Sequence, residues 1–254
     1  MIERILVPVG GSELSELALS YCEELAGRLH PEIYLVYIRE TNETEQRHVY
    51  ESYLQTISQT IEETVKTQFA GSPDLTVKII VLVGNPAIEL TGYAEKNDIK
   101  LIVMTLHGRS GKTPWAVGST ASRMTQQLHV PVLLVRVGLS DAGHSANELF
   151  RKILVLLDGS ETGEAAVPYV KELAQQIETE IILLQVISPG QHVRTFGGLD
   201  YIKFPDQVVE QMKADADAYL NKVQTQFIHP TIKVSCQYIA RHSRQFNEQQ
   251  LLPF

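Results

Sequence analysis

Arg4-Ile5-Leu6-Val7-Pro8-Val9-Gly10-Gly11-Ser12-Glu13 returns 148 residues later as Lys152-Ile153-Leu154-Val155-Leu156-Leu157-Asp158-Gly159-Ser160-Glu161. The register holds without a gap for about three dozen residues. Glu16 matches Glu164, Tyr21 matches Tyr169, Glu24-Leu25-Ala26 matches Glu172-Leu173-Ala174, and Glu32-Ile33 matches Glu180-Ile181. An ungapped match of that length marks an internal duplication. Ile5 to Val9 is a continuous apolar run, as in a strand buried on both faces. Ser12 then suits the N-cap of an amphipathic helix reaching about Leu29.

The rest of the first repeat continues the alternation. Strands are expected at Ile33–Ile38, Val77–Val83, Leu101–Met104 and Val132–Val137, with helices at about Glu45–Phe69, Pro86–Lys96 and Gly118–Leu128. In the helix over 45–69, Val49, Tyr53, Ile57, Ile61 and Val65 form an apolar stripe expected to face the core. Strand–helix alternation with unbroken apolar strands implies α/β units with open, mostly parallel sheets and right-handed crossovers. Gly138 to Asn147 is rich in Gly, Ser, Asp and Ala and reads as a linker. The expected domains are residues 1–138, a linker over 139–150, and a shorter second repeat over 151–254. That repeat reaches a third strand at about Ile232–Ile239 and then Phe254, before any counterpart of the first repeat's later strands. We expect a truncated unit, as a frameshift or premature stop would leave, with Ile153–Leu157 at a sheet edge. Gly190 to Phe204 is expected to be a mobile loop.

Composition narrows the function. Apolar residues make up 44% of the 254 and the formal net charge is −8. No apolar run approaches the roughly 20 residues that span a bilayer, and Met1-Ile2-Glu3-Arg4 lacks a secretory pattern. No dense Lys/Arg cluster with interleaved aromatics offers a nucleic-acid footprint. Cys22 and Cys236 are too few and too far apart for a metal site and read as buried apolar residues. His107, His129, His144 and His242 show no ligand spacing. A cytoplasmic protein with neither membrane nor nucleic acid as partner is expected.

Open parallel sheets bind ligands beyond the carboxyl ends of their strands, where the winding direction reverses. Two loops qualify. One is Val9-Gly10-Gly11-Ser12, after the first strand. The other follows the fourth, from Thr105 through Gly108, Gly111 and Trp115 to Gly118-Ser119-Thr120. Its glycines admit close backbone approach, and Gly118-Ser119-Thr120 opens a helix whose free N–H groups suit a phosphate. Gly111-Lys112-Thr113 imitates the end of a P-loop, but Leu106 stands where that motif needs glycine, and Pro114 and Gly118 interrupt the helix it must launch. No base or metal cluster accompanies Ser12, so N-cap rather than nucleophile is its reading.

These residues resemble the universal stress protein family in its tandem-domain form. The resemblance covers Arg4 to Val137 and includes Ile5-Leu6-Val7-Pro8, Val103-Met104, His107-Gly108-Arg109-Ser110-Gly111 and Pro131-Val132-Leu133-Leu134-Val135. The family's ATP-binding pattern is Gly-x2-Gly-x9-Gly-Ser/Thr. Gly108 and Gly118-Ser119 match its later part, while Thr105 replaces its first glycine. The resemblance implies a Rossmann-like sheet of the adenine nucleotide alpha hydrolase type in order 3-2-1-4-5, with the second repeat lacking strands four and five. It implies that Pro8, Val9, Gly10 and Ile38 line the adenine side. Gly108, Gly118, Ser119 and Thr120 would meet the phosphates, with Thr105, His107 and Arg109 on the same loop. The family aspartate after strand one is Gly10 here and Asp158 in the second repeat, where Val186 takes the place of Ile38. A lost charge-assisted hydrogen bond is worth about 1.5–3 kcal/mol, so weakened binding follows, and Gly10→Asp is expected to tighten it.

The function implied is a non-enzymatic stress-response module binding ATP or AMP, with Mg as an optional companion of the nucleotide and slow ATP hydrolysis at most. The expected partner is a second copy, paired through the last strand of repeat one. A nucleotide-independent scaffold with a decayed site is the alternative. An adenylating enzyme ranks last, because Val9, Glu13 and Leu14 depart from the Ser-Gly-Gly-x-Asp-Ser loop it would need.

Overall fold

The computed structural model describes residues 2–39, 47–106, 117–136, 149–177, 179–195, 198–227 and 232–240. It divides into two compact units, residues 1–149 and 150–254.

The first unit begins with β1 (Arg4–Pro8), whose Ile5, Leu6 and Val7 are fully buried. The backbone turns through Gly11 at φ 67°, a left-handed position that glycine occupies at no steric cost. It then enters α1 (Glu13–Leu29). Ser12 caps this helix: its hydroxyl accepts from the Ser15 N–H, and Ser15 reaches back to the Ser12 N–H. His30 ends α1 in the left-handed conformation at φ 53°, a form of helix termination usually given to glycine or asparagine.

β2 (Glu32–Arg39), α2 (Arg47–Gln68), β3 (Val77–Val83), α3 (Pro86–Lys96), β4 (Leu101–Thr105), α4 (Ser119–Gln127) and β5 (Val132–Val135) follow. Asn85 caps α3 through its side chain, with Pro86 in the first turn, where its missing N–H costs nothing. All strand pairings are parallel and the sheet order is β3-β2-β1-β4-β5. Leu6, Tyr34, Val36, Ile102 and Met104 pack against Ala87, Leu90 and Ala94 of α3 and Ala121 and Met124 of α4. On the stripe of α2, Ile57, Ile61 and Val65 are buried and Tyr53 is half-buried, whereas Val49 is 53% exposed. That corrects the expected stripe: Tyr50 of the same turn stacks on Tyr37 of β2 at 4.5 Å, so the covered face of α2 runs through Tyr50, Leu54 and Ser58, and Val49 falls to its side.

The second unit repeats the start of this plan. β6 (Lys152–Leu157) is followed by the short α5 (Glu161–Glu164), α6 (Val167–Gln176) and β7 (Glu180–Ile187). The β6–β7 pairing runs Lys152 with Glu180 to Leu156 with Leu184. This is the β1–β2 register, Arg4 with Glu32 to Pro8 with Val36, displaced by the same 148 positions. β8 (Gly190–Thr195) and β9 (Gly198–Lys203) form an antiparallel hairpin. Over its described residues the segment expected to be a mobile loop forms paired strands instead: Gln191, Val193 and Arg194 pair with Ile202, Asp200 and Leu199. α7 (Asp206–Gln224) leads to β10 (Lys233–Ala240), and the described sheet has the order β10-β7-β6.

Among the described residues β6 therefore lies at a sheet edge. Val155 and Leu157 face the core under Val167, Ala174, Leu220 and Val223. Leu154 is 39% and Leu156 63% exposed, whereas the aligned Leu6 lies wholly inside unit one beneath α3 and α4. The expected linker, 139–150, falls outside the described residues except for its last two positions.

Candidate functional site

β1 hydrogen-bonds β2 on one side and β4 on the other, so the winding of unit one reverses at its carboxyl end. Pro8 ends β1, and the N–H of the buried Val9 donates to Val36 O at 2.9 Å, extending the parallel ladder by one step. β2 continues past Val36 and carries Ile38 beyond the end of β1, half-buried against the α3–α4 core. Thr105 ends β4 and is buried, and Leu106 N–H donates to Val135 O at 2.7 Å. Three strand ends thus open onto one side of the sheet.

The chain departs from that point at Leu106 and returns to it at Gly118, whose N–H donates to Leu106 O at 2.9 Å. Gly118 is the N-cap of α4 at φ −57°, ψ 150°, and no side chain caps the helix start. The first-turn N–H groups over Ser119, Thr120 and Ala121 therefore lack the side-chain acceptor that Ser12 supplies to α1 and Asn85 to α3. Ser119 is exposed and Thr120 half-buried. The structure brings Pro8, Val9, Gly10, Ile38, Thr105, Gly118, Ser119 and Thr120 to this end of the sheet. His107, Gly108, Arg109, Gly111 and Trp115 lie outside the described residues.

The universal stress protein family model matches the chain twice, at residues 1–136 and 149–240. The chain belongs to the universal stress protein family. Among curated relatives, universal stress protein MJ0531 of Methanocaldococcus jannaschii is 28% identical over 141 residues, 54% of this chain and 83% of its own length. Universal stress protein YxiE of Bacillus subtilis is 27% identical over 149 residues, again 54% of this chain and all of its own. Each aligned stretch is thus about one repeat long. A solved universal stress protein of Archaeoglobus fulgidus spans both repeats: it covers 94% of this chain and 80% of its own, with a TM-score of 0.61 at 18% identity. That likeness concerns the tandem fold.

Within this family fold, two side chains shape the first loop: Ser15, which sequence reasoning did not single out, and Tyr53, which it read as part of an apolar stripe facing the core. Ser15 Oγ accepts from the N–H of Gly10 at 3.1 Å and of Ser12 at 3.2 Å, and donates to Ser12 O at 2.7 Å. Tyr53 donates to Glu16 Oε1 at 2.7 Å. Partial burial, followed by Glu16, holds the Tyr53 phenol well above its usual range, and the Gly11 backbone beside it pulls the other way. The one available signal was the Glu16–Glu164 match; nothing in spacing pointed to Ser15.

In unit two Asp158 holds the position of Gly10. Its Oδ1 accepts from Ser160 Oγ at 2.6 Å and from Ser160 N–H at 2.9 Å, and these bonds pull its carboxyl below the usual range. The aspartate is engaged with its own loop. A separate groove of about 560 Å³ lies between α2 and the edge strand β3, beside Arg47, Glu51 and Ile79. β3 is at the far side of β2 from the switch point, so the groove is not part of the candidate site.

Proposed function

We propose that unit one binds an adenine nucleotide, ATP or AMP, at the carboxyl end of β1, and that the protein acts as a non-enzymatic nucleotide-responsive member of the stress-response family. The observation that carries this is the Gly118 N–H to Leu106 O bond. It closes the loop after β4 and sets the uncapped start of α4 beside the ends of β1 and β4, where helix N–H groups and dipole favour a phosphate. Pro8, Val9, Gly10 and Ile38 then supply the apolar wall for the base. Thr105, His107, Gly108 and Arg109 complete the reading through the loop that Gly118 closes. Mg enters as the nucleotide's own counter-ion. The free thiols of Cys22 and Cys236 suit a reducing compartment such as the cytoplasm.

Isothermal titration of the full chain with ATP and AMP tests this. Binding to wild type, lost in Gly118→Val, supports the cradle; no binding, or equal binding in both, defeats it. At φ −57°, ψ 150° the backbone suits any residue, and a thermal melt of Gly118→Val alongside wild type establishes that the variant is folded. β5 ends its sheet on one side, and we propose that a second copy pairs there. The competing reading, a nucleotide-independent interaction protein, draws on the exposed Leu154 and Leu156 and on Gly10 and Thr105, where the family pattern is lost.

A further inference from the structure

The loop between the first strand and first helix is built twice in this chain, with different chemistry. In unit one the Ser12 N–H is held by Ser15 Oγ, which also takes the Gly10 N–H. In unit two the residue aligned with Ser12 is Ser160, and its N–H is held by Asp158 Oδ1. The residue aligned with Ser15 is Gly163. The same amide is therefore secured in both units, from opposite ends of the loop. A hydroxyl beyond it does this in one unit, and a carboxylate before it in the other.

The two solutions compete for the same amide. A Cβ at Gly163 would overlap Asp158 Oδ1, so a side chain there would have to turn the carboxylate out of this rotamer. At Gly10 a Cβ would meet Ser15 Oγ at 3.5 Å and Ser15 Cβ at 3.6 Å, which is ordinary contact. Gly10 goes with Ser15 in one unit, and Asp158 with Gly163 in the other.

We infer that Ser15 is the positioning residue for the proposed nucleotide loop of unit one. Its neutral hydroxyl does for this loop what the Asp158 carboxylate does in unit two. This rests on the reading of Pro8, Val9 and Gly10 as part of the nucleotide site. It also explains how the loop keeps its shape although the family aspartate is missing: the amide that needs an acceptor still has one. The Ser15 acceptor carries no ionisable group, whereas the Asp158 carboxyl becomes a weaker acceptor once protonated.

Three full-length proteins test the inference: wild type, Ser15→Ala, and Gly10→Asp with Ser15→Gly. Amide hydrogen exchange by NMR, without nucleotide, reads the loop; calorimetric titration with ATP reads the site; thermal melting establishes that each variant is folded. A neutral hydrogen bond is worth up to about tenfold in an equilibrium. Ser12 exchange is therefore expected to quicken about tenfold in Ser15→Ala and to return to the wild-type rate in the double variant. ATP affinity should fall by up to about tenfold in Ser15→Ala and recover in the double variant. Unchanged Ser12 exchange in Ser15→Ala, or no recovery in the double variant, overturns the assignment whatever ATP does. Wild type that fails to bind ATP while the exchange pattern holds overturns the nucleotide reading and leaves the matched pairs standing.

Discussion

The Tyr53 hydroxyl donates a 2.7 Å hydrogen bond to Oε1 of Glu16, fastening α2 to the start of α1 beside the Gly11 turn. In unit two Tyr219 of α7 lies near Glu164 and the Gly159 backbone, and burial together with Glu164 pushes its phenol up to about 12, but its buried hydroxyl makes no hydrogen bond among the described residues. Gly11 and Gly159 both adopt positive φ, 67° and 82°. A tyrosine from a later helix thus lies near the turn into the first helix in both repeats, and it braces that turn by a hydrogen bond in unit one.

Tyr53→Phe keeps the ring and removes only the donor. A hydrogen bond to a charged acceptor is worth about 1.5–3 kcal/mol when buried; Tyr53 and Glu16 are half-buried, so a loss of about 1 kcal/mol is expected. Urea unfolding of the full chain checks it. An unchanged midpoint would show that the bond contributes nothing to unit one.

The brace shows what the sequence could reveal. Glu16 and Glu164 share the register of 148, so the duplication exposes them. Tyr53 and Tyr219 do not, because the β8–β9 hairpin precedes α7 and shifts the alignment. The strands were legible, because buried parallel strands announce themselves as apolar runs, while their order and the edge position of β6 came from the family resemblance. The hairpin was not: Gly190, Gly197 and Gly198 read as a loop, and its pairing arises between residues that carry little alternation. Val49 failed for a geometric reason: the next residue, Tyr50, takes the contact with Tyr37 of β2, and the face of α2 turned to the sheet is set by that contact. At the site, backbone positions such as Gly118 were readable from their glycine and helix-start pattern. Ser15 acts through three backbone groups close in sequence, and that pattern has no signature of its own.

Burial raises the Glu23 carboxyl from its ordinary 4.5 to about 7. Between those values the folded protein binds more protons than the unfolded chain. The contribution is therefore full below about pH 4.5 and lost as pH rises through 7. Glu23→Gln should remove that slope and leave the variant more stable than wild type at pH 8. Unfolding midpoints from pH 5 to 8 measure it; parallel slopes in the two proteins would refute the assignment. Asp158 has the opposite sign. Its carboxyl is held below 3.8, so its contribution stands above that pH and fades as pH falls through the lowered value.

Leu154 and Leu156 lie side by side on an edge strand at 39% and 63% exposure. Edge strands of this composition invite pairing with another chain. Replacing Leu156 by Lys should leave the unfolding midpoint within about 0.5 kcal/mol of wild type, as surface changes usually do. Light scattering at rising protein concentration should then show less self-association. A large stability loss would mean that Leu156 is packed in solution.

Two helical glycines give opposite expectations for the same substitution. Alanine exceeds glycine in helix propensity by about 0.8–1.0 kcal/mol. At Gly92 in α3 an added Cβ meets nothing within 4 Å, so propensity acts alone and Gly92→Ala should stabilise by nearly that amount. At Gly27 in α1 the Cβ would fall into the ring of Phe69, which also lies under the Arg28 guanidinium at 5.7 Å. Forcing the ring aside costs about 1–3 kcal/mol, which outweighs the propensity gain, and Gly27→Ala should destabilise by about 1 kcal/mol. Chemical unfolding of both variants decides the matter. If both move the midpoint the same way, the α1–Phe69 contact is not the close packing described.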